Sequence, residues 1–295
     1  MYDFNSIYRA KSVEDAINEL EKNPESVIIS GGSDVLIKIR EGKLSGCSLV
    51  SINDIPDLKG IFMDKNESIV IKPATNFTSI TNNPIIQKYI PVLGESVDQI
   101  GGPQIRNVGT IGGNICNGVT SADSASTLFT LNAKLEIKGK DKKRVIPIKD
   151  FYIGAGKVDL KPSEILTAII IEKENYKNHY GYYIKYAMRN AMDIATLGCA
   201  VLCELSDDKK SLKDLRLAYG VAGPVPMRCL KTEELLKGQV ISVELFKRLS
   251  ESAKSEVNPR TSWRASKEFR MQLVGELCIR ALKKSIIRAG GKISD

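Results

Sequence analysis

Between Gly109 and Thr120 the chain reads GTIGGNICNGVT, with four glycines, two asparagines, two threonines and few bulky side chains. Such a segment builds no core of its own. It lets bare backbone approach a neighbour closely, and its N–H groups can converge on an anion. A second segment of this kind, Ser30-Gly31-Gly32-Ser33-Asp34, follows the apolar run Val27-Ile28-Ile29 and precedes the helical pattern Val35 to Arg40. Strand, glycine turn and helix start is the arrangement that aims backbone donors at a phosphate. Two such loops in one chain point to a ligand with more than one group to hold. Neither follows G-x-G-x-x-G, and Gly154-Ala155-Gly156-Lys157 lacks the hydroxyl residue and upstream glycine of a Walker A loop. Spacing alone leaves a pair of tight surface turns open as the plainer reading.

The rest of the chain bounds the partners. With 295 residues it buries a real core, and 42% apolar content without any run of about eighteen apolar residues gives no membrane span. The N-terminus MYDFNSIYRAKS has no apolar signal core, so a cytoplasmic protein is expected. The net charge of +8 concentrates in Lys138 to Arg144, between two strand-like runs, and along Arg260 to Lys292. The first reads as a solvated hairpin tip and the second as the polar face of an amphipathic helix. Nucleic-acid binding would need a continuous basic surface or a recognisable module, and is not expected. Six cysteines, at 47, 116, 199, 203, 229 and 278, give no C-x₂-C arrangement. Cys199 and Cys203 share one face of the run CAVLC and read as buried thiols, so no metal site is expected. The lone histidine, His179, lies in a polar stretch and reads as a loop residue.

Periodicity gives a capped helix from Ser12, strands at Val27 to Ile29 and Ser48 to Ile52, and a small β-α-β-α-β unit ending near Leu58. A strand at Ser68 to Ile71 follows, with helical stretches around Phe77 to Thr81, Ile85 to Ile100 and Asp123 to Leu131. The polar run Glu172 to His179 reads as a linker. Three strands, Tyr182 to Ala187, Leu197 to Leu205 and Leu215 to Val221, precede helices starting near Lys231, Val243 and Ser266.

Taken in order, GGSDVLIKIR, QIRNVGTIGGNICNG, SAD, KYAMRNAMDIATLG and SWRASKEFR resemble the FAD-binding flavoproteins of the molybdenum hydroxylases, especially bacterial xanthine dehydrogenase subunits. The resemblance covers essentially the whole chain. It implies an α+β fold: a two-subdomain PCMH-type FAD-binding domain, 1–58 and 59–174, then a C-terminal subdomain, 180–295, of a small antiparallel sheet with helices. It implies FAD as cofactor, with Val27, Ile28, Ile29, Ser30, Gly31, Gly32, Ser33, Asp34 and Val35 wrapping the pyrophosphate. Ser33 would cap the following helix, and Asp34 would favour its N-terminus or hold the loop. Gly109, Thr110, Ile111, Gly112, Gly113 and Asn114 would contact the cofactor from the opposite side. Asp123 would meet the adenosine half or cap its own helix, Leu166 would pack on the cofactor, and Lys185 would lie near the flavin ring. Ile100 stands where eukaryotic relatives stack an aromatic ring. Tyr186 to Thr196 would form a mobile loop beside the flavin, with Arg189 and Asp193 tuning it.

With no molybdenum or iron–sulfur ligand set, and no catalytic acid or base assigned, the chain is expected to work in a complex. The resemblance implies a molybdopterin-binding large subunit, a small subunit with [2Fe–2S] clusters, and NAD⁺ receiving hydride. The competing expectation is a self-sufficient FAD-dependent oxidoreductase of the same cofactor fold.

Overall fold

The computed structural model describes residues 2–293. A parallel three-stranded sheet opens the chain: β1 (Phe4–Arg9), α1 (Val13–Lys22), β2 (Val27–Ile29), α2 (Val35–Arg40) and β3 (Cys47–Ser51), in strand order β1-β3-β2. Helix α1 begins where Ser12 accepts a hydrogen bond from the Asp15 amide at 3.0 Å, as a Ser N-cap should. Its buried face, Val13, Ala16, Ile17 and Leu20, packs on Val50, Ile55 and Leu58.

The chain then builds a five-stranded antiparallel sheet in order β4-β5-β10-β6-β7. Its strands are β4 (Ile61–Met63), β5 (Ile69–Ile71), β6 (Lys134–Lys138), β7 (Lys143–Pro147) and β10 (Ile165–Ile171). Between β5 and β6 run α3 (Phe77–Thr81), α4 (Pro84–Tyr89), α5 (Pro91–Asp98), α6 (Pro103–Val108), α7 (Ile111–Cys116) and α8 (Asp123–Thr130). Short α9 (Ile148–Phe151) and the ribbon β8 (Tyr152–Gly154) with β9 (Lys157–Val158) complete it. The expected helical stretch Ile85 to Ile100 is two helices, because Pro91 lacks an N–H and starts a new first turn. The β6–β7 tip is not merely solvated: Lys140 pairs with Glu21 at 2.7 Å and Lys138 with Glu14, docking the hairpin on α1.

A four-stranded antiparallel sheet follows, in order β11-β12-β13-β14: β11 (Tyr180–Tyr186), β12 (Leu197–Leu205), β13 (Leu212–Gly220) and β14 (Met227–Arg228). Helices α10 (Leu230–Leu236), α11 (Val243–Glu256) and α12 (Lys267–Arg288) cover one face. Cys199, Val201 and Cys203 point to that helical core, whereas Ala200, Leu202 and Ala218 join the core of the preceding sheet. Burial on both faces explains why β12 reads as a continuous apolar run. Burial pushes the Cys203 thiol up to about 12, and all six cysteines are free.

Two sequence expectations change here. Glu172 to His179 is not a loose linker: Asn175 and Tyr176 are buried, and the His179 side chain, 5% exposed, binds Asp214 at 2.9 Å. Arg270 is not on a polar face; it is 2% exposed inside the third unit.

Asp214 also accepts from Arg216 Nε at 3.0 Å. Burial alone would raise its pKa, but the His179 bond and the Arg216 charge outweigh it and bring the carboxyl down to about 2 from 3.8. A depressed folded-state pKa contributes stability above pH 3.8 that is lost as pH falls toward 2. Allowing for partial exposure, roughly 1–2 kcal/mol is at stake. Urea unfolding of wild type and Asp214→Asn should differ by that amount at pH 7, by less as pH falls below 3.8, and converge only below pH 2; a constant gap would remove the pair from the account.

Candidate cofactor site

The two glycine loops touch each other. After β2, Ser30 to Ser33 turn the chain, with Gly32 at φ +74°. A Cβ built on Gly31 would lie 1.8 Å from the Val108 carbonyl oxygen and 3.0 Å from Gly109 Cα. Gly31 is therefore bare so that the second loop can approach.

The loops then divide the donors unequally. In the second, Gly109 N binds Ile105 O at 2.6 Å, Ile111 N binds Thr75 O at 3.1 Å, Gly112 N binds Pro73 O at 2.8 Å, and Asn114 N binds Thr110 O at 3.0 Å. Thr110 caps α7 by accepting from Gly113 N at 3.2 Å. Side chains follow the same pattern, since Asn114 Oδ1 accepts from Ser124 Oγ at 2.7 Å. The missing side chains of Gly109 and Gly112 make room for Phe77 and Pro73, which a Cβ would meet at 2.8 and 2.5 Å. The expected convergence of this loop's N–H groups on an anion is largely corrected: those of Gly109, Ile111, Gly112, Gly113 and Asn114 are bonded within the chain, and among the described residues only Thr110 N finds no acceptor.

In the first loop, the amides of Gly31, Gly32, Ser33 and Asp34 donate to no acceptor among the described residues. The expected cap is absent as well. Asp34 occupies the cap position of α2, exposed and without a side-chain bond, and Ser33 lies outside it. Val27, Ile28 and Val35 are half-buried supports, and Ile29 joins a small core with Ile39 and Leu49. Ser30 Oγ is buried with no hydrogen-bond partner. A buried hydroxyl left unpaired is costly, so this one calls for a polar ligand atom. Beside it opens a cavity of about 400 Å³ lined by Ser30, Gly31, Asn53, Lys59, Asn76 and Thr110. Sequence reasoning missed Asn53, Lys59 and Asn76; the only local signal was the Asn N-cap at the start of α3.

A second cavity, about 260 Å³, is lined by Gln99, Lys185, Tyr186, Arg189, Met192 and Asp193. The segment between β11 and β12 forms its wall and reaches back over Gly102, whose Cβ would meet Met192 Sδ at 3.4 Å. Asp193 accepts the Arg189 amide at 3.0 Å and so shapes the segment. Lys185 Nζ donates to Asp123 Oδ2 at 2.8 Å and to Gln99 O at 2.9 Å, with the Lys185 and Asp123 side chains only 8% and 7% exposed. Asp123 Oδ1 accepts from Tyr183 at 2.7 Å. Burial raises the Asp123 pKa, with Lys185 and Tyr183 opposing it. The sequence reading assigned Asp123 to the adenosine half and Lys185 to the ring; the direct ion pair shows that the two residues adjoin each other. Asp123 does open α8, but Ala122 holds the cap position, without a side-chain bond. Leu166, 4% exposed, is built into the core around β10 and lines neither cavity. Ile100 is half-buried against the same core.

Four unbonded amides, an orphaned hydroxyl and a nearby lysine suit a diphosphate, while a second, lysine-flanked cavity suits an electron-poor ring. FAD carries both groups. Among the described residues no cluster of His, Cys, Asp and Glu could hold a metal, and no helix is long and apolar enough to cross a membrane.

Comparison with known proteins agrees. Residues 2–173 match the family described as FAD binding domain in molybdopterin dehydrogenase, and residues 182–285 match the CO dehydrogenase flavoprotein C-terminal domain. The chain is 42% identical over 294 residues to the xanthine dehydrogenase FAD-binding subunit of Escherichia coli O157:H7, covering 99% of this chain and 100% of that one. It is 26% identical over 279 residues to the carbon monoxide dehydrogenase medium chain of Hydrogenophaga pseudoflava, covering 94% and 96%. A solved carbon monoxide dehydrogenase structure from that organism superimposes with a TM-score of 0.92 at 25% identity, covering 98% of this chain and 99% of that one. With its α+β architecture, its FAD-suited cavities and these matches over nearly its full length, the chain belongs to the FAD-binding subunits of the xanthine dehydrogenase-type molybdenum hydroxylases.

Proposed function

We propose that this chain is the electron-exit subunit of its hydroxylase. Electrons arrive from the [2Fe–2S] clusters of a small subunit, and NAD⁺ takes hydride at the end, while a molybdopterin-binding large subunit hydroxylates the substrate. Bound FAD supplies the exchange between one-electron and two-electron carriers. Everything else falls to the chain's own groups. The amides of Gly31, Gly32, Ser33 and Asp34, with the Ser30 hydroxyl, hold the pyrophosphate, and Lys59 adds a positive charge. Val27, Ile28, Ile29 and Val35 keep that loop in shape. Gly109, Thr110, Ile111, Gly112, Gly113 and Asn114 form a rigid wall against which it is set. Lys185 faces the ring and favours its anionic reduced form, and Asp123 holds Lys185. No side chain acts as acid or base. The division 1–58, 59–174 and 180–295 and a cytoplasmic location belong to the same reading.

The observation that carries this reading is the contrast between the loops: amides bonded in one, save that of Thr110, and four unbonded amides beside an orphaned hydroxyl in the other. Its test is spectroscopic. The purified chain loaded with FAD should be bleached by NADH and left oxidised by xanthine. Lys185→Gln should lower the two-electron flavin potential by about 30–60 mV, a ten- to hundredfold loss of preference for the reduced form. Direct reduction by an organic substrate would instead make the chain a self-sufficient oxidoreductase.

A further inference from the structure

We infer that Tyr183 is a positioning residue: its hydroxyl fixes Asp123, and Asp123 in turn fixes the Lys185 ammonium so that one N–H is left for the second cavity. This rests on the reading that Lys185 faces the flavin.

The strand makes the arrangement possible. Residues two apart on a strand share a face, so Tyr183 and Lys185 of β11 both point toward the start of α8. There the buried Asp123 carboxylate receives one donor on each oxygen, Tyr183 at 2.7 Å on Oδ1 and Lys185 at 2.8 Å on Oδ2. Tyr183 is 3% exposed, so its hydroxyl has no water to turn to. The neighbouring strand makes room for it. Gly198 lies directly opposite Lys185 in the β11–β12 register, and a Cβ there would come within 2.9 Å of the Tyr183 hydroxyl oxygen. An ammonium has three donors. Two are held by Asp123 and Gln99, and Lys185 lines the cavity into which the third can reach.

Removing the hydroxyl leaves Oδ1 buried and unpaired. The carboxylate then turns both oxygens on Lys185, the only donor left to it among the described residues, and draws the ammonium away from the cavity. Burial already disfavours the charge on Asp123, so the lost donor is felt strongly. The carboxylate comes to screen the lysine instead of orienting it.

The experiment is a double-mutant cycle on the FAD-loaded chain, read as flavin midpoint potential. Tyr183→Phe should lower the preference for reduced flavin about tenfold, near 30 mV, and should cause no further change in a Lys185→Gln background. An unchanged potential in Tyr183→Phe, or the same shift with and without Lys185, overturns the inference. Lys185→Gln with no effect of its own brings down the reading beneath it, so the two failures are distinguishable. Gly198→Ala, which keeps the hydroxyl but crowds it, runs through the same cycle should Tyr183→Phe fail to fold. In the chain without FAD, ¹⁵N-lysine spectra give an independent readout: one slowly exchanging ammonium signal, absent in Lys185→Gln, should broaden in Tyr183→Phe, and a signal unchanged in that variant speaks against positioning.

Discussion

Gly31→Ala should lower FAD affinity at least a hundredfold, near 3 kcal/mol, while the chain still folds. The new methyl carbon would stand 1.8 Å from the Val108 carbonyl oxygen and 2.6 Å from its carbon. Neither is the end of a flexible side chain, so only separation of the two backbones relieves the overlap. Separation shifts the first loop's unbonded amides and the Ser30 hydroxyl relative to the cavity that Ser30 and Gly31 line, and a misaligned donor binds an oxyanion poorly. The folding cost is smaller, about 1–3 kcal/mol, as for other overpacked sites. Neighbouring glycines should rank below it. Gly32→Ala meets only Leu36 and Ile29 side-chain atoms at 3.2–3.4 Å, and its penalty comes from φ +74°, worth about 1 kcal/mol. Gly113→Ala meets nothing closer than the Thr110 hydroxyl at 3.0 Å. Fluorescence titration of FAD against the three variants checks the order. Wild-type affinity in Gly31→Ala would show that contact between the loops is dispensable for binding.

That ranking could not have been drawn from the sequence, where both loops read alike as bare, glycine-rich backbone. What separates them is in part long-range: two of the second loop's amides, those of Ile111 and Gly112, are claimed by Thr75 and Pro73, more than thirty positions upstream. Local chemistry was readable where neighbours decide the outcome. Ser12 caps α1, and CAVLC forms a buried strand. The break at Pro91 was also written in the chain, and a helical pattern drawn through it ignored the missing N–H. Contacts between distant residues were not readable. Asp123 and Lys185 are 62 positions apart, and only folding shows that two residues assigned to opposite ends of a cofactor hold one another. Leu166 shows the converse. An apolar residue at the start of a strand fits a cofactor wall or a core equally well, and here Leu166 packs among core residues.

Arg270 belongs with these long-range features, and Arg270→Met should destabilise the chain by about 1–3 kcal/mol, the range for leaving a buried acceptor unpaired. The basic stretch that contains it read as a solvated helix face, yet its guanidinium is enclosed. It donates to Thr196 O at 3.1 Å, to Ser262 Oγ at 2.8 Å and to the Arg260 carbonyl. No carboxylate forms an ion pair with it among the described residues. Burial, with Arg260 and Arg264 nearby, pushes its pKa down, but an arginine stays charged. The charge is thus balanced by carbonyl and hydroxyl dipoles alone. A methionine fills the volume and removes the buried cation, which by itself favours stability. Against that, it strands the buried Thr196 carbonyl, at about 1–3 kcal/mol, and removes two further bonds that hold the Arg260–Ser262 segment against α12, so the balance runs against the variant. The damage should be local as well as global, because Thr196 ends the segment that walls the second cavity. Hydrogen exchange between Tyr186 and Thr196 should therefore accelerate in Arg270→Met more than in the sheet β11–β13. Uniform acceleration would mean that Arg270 supports the third core as a whole and has no particular hold on the wall of the cavity.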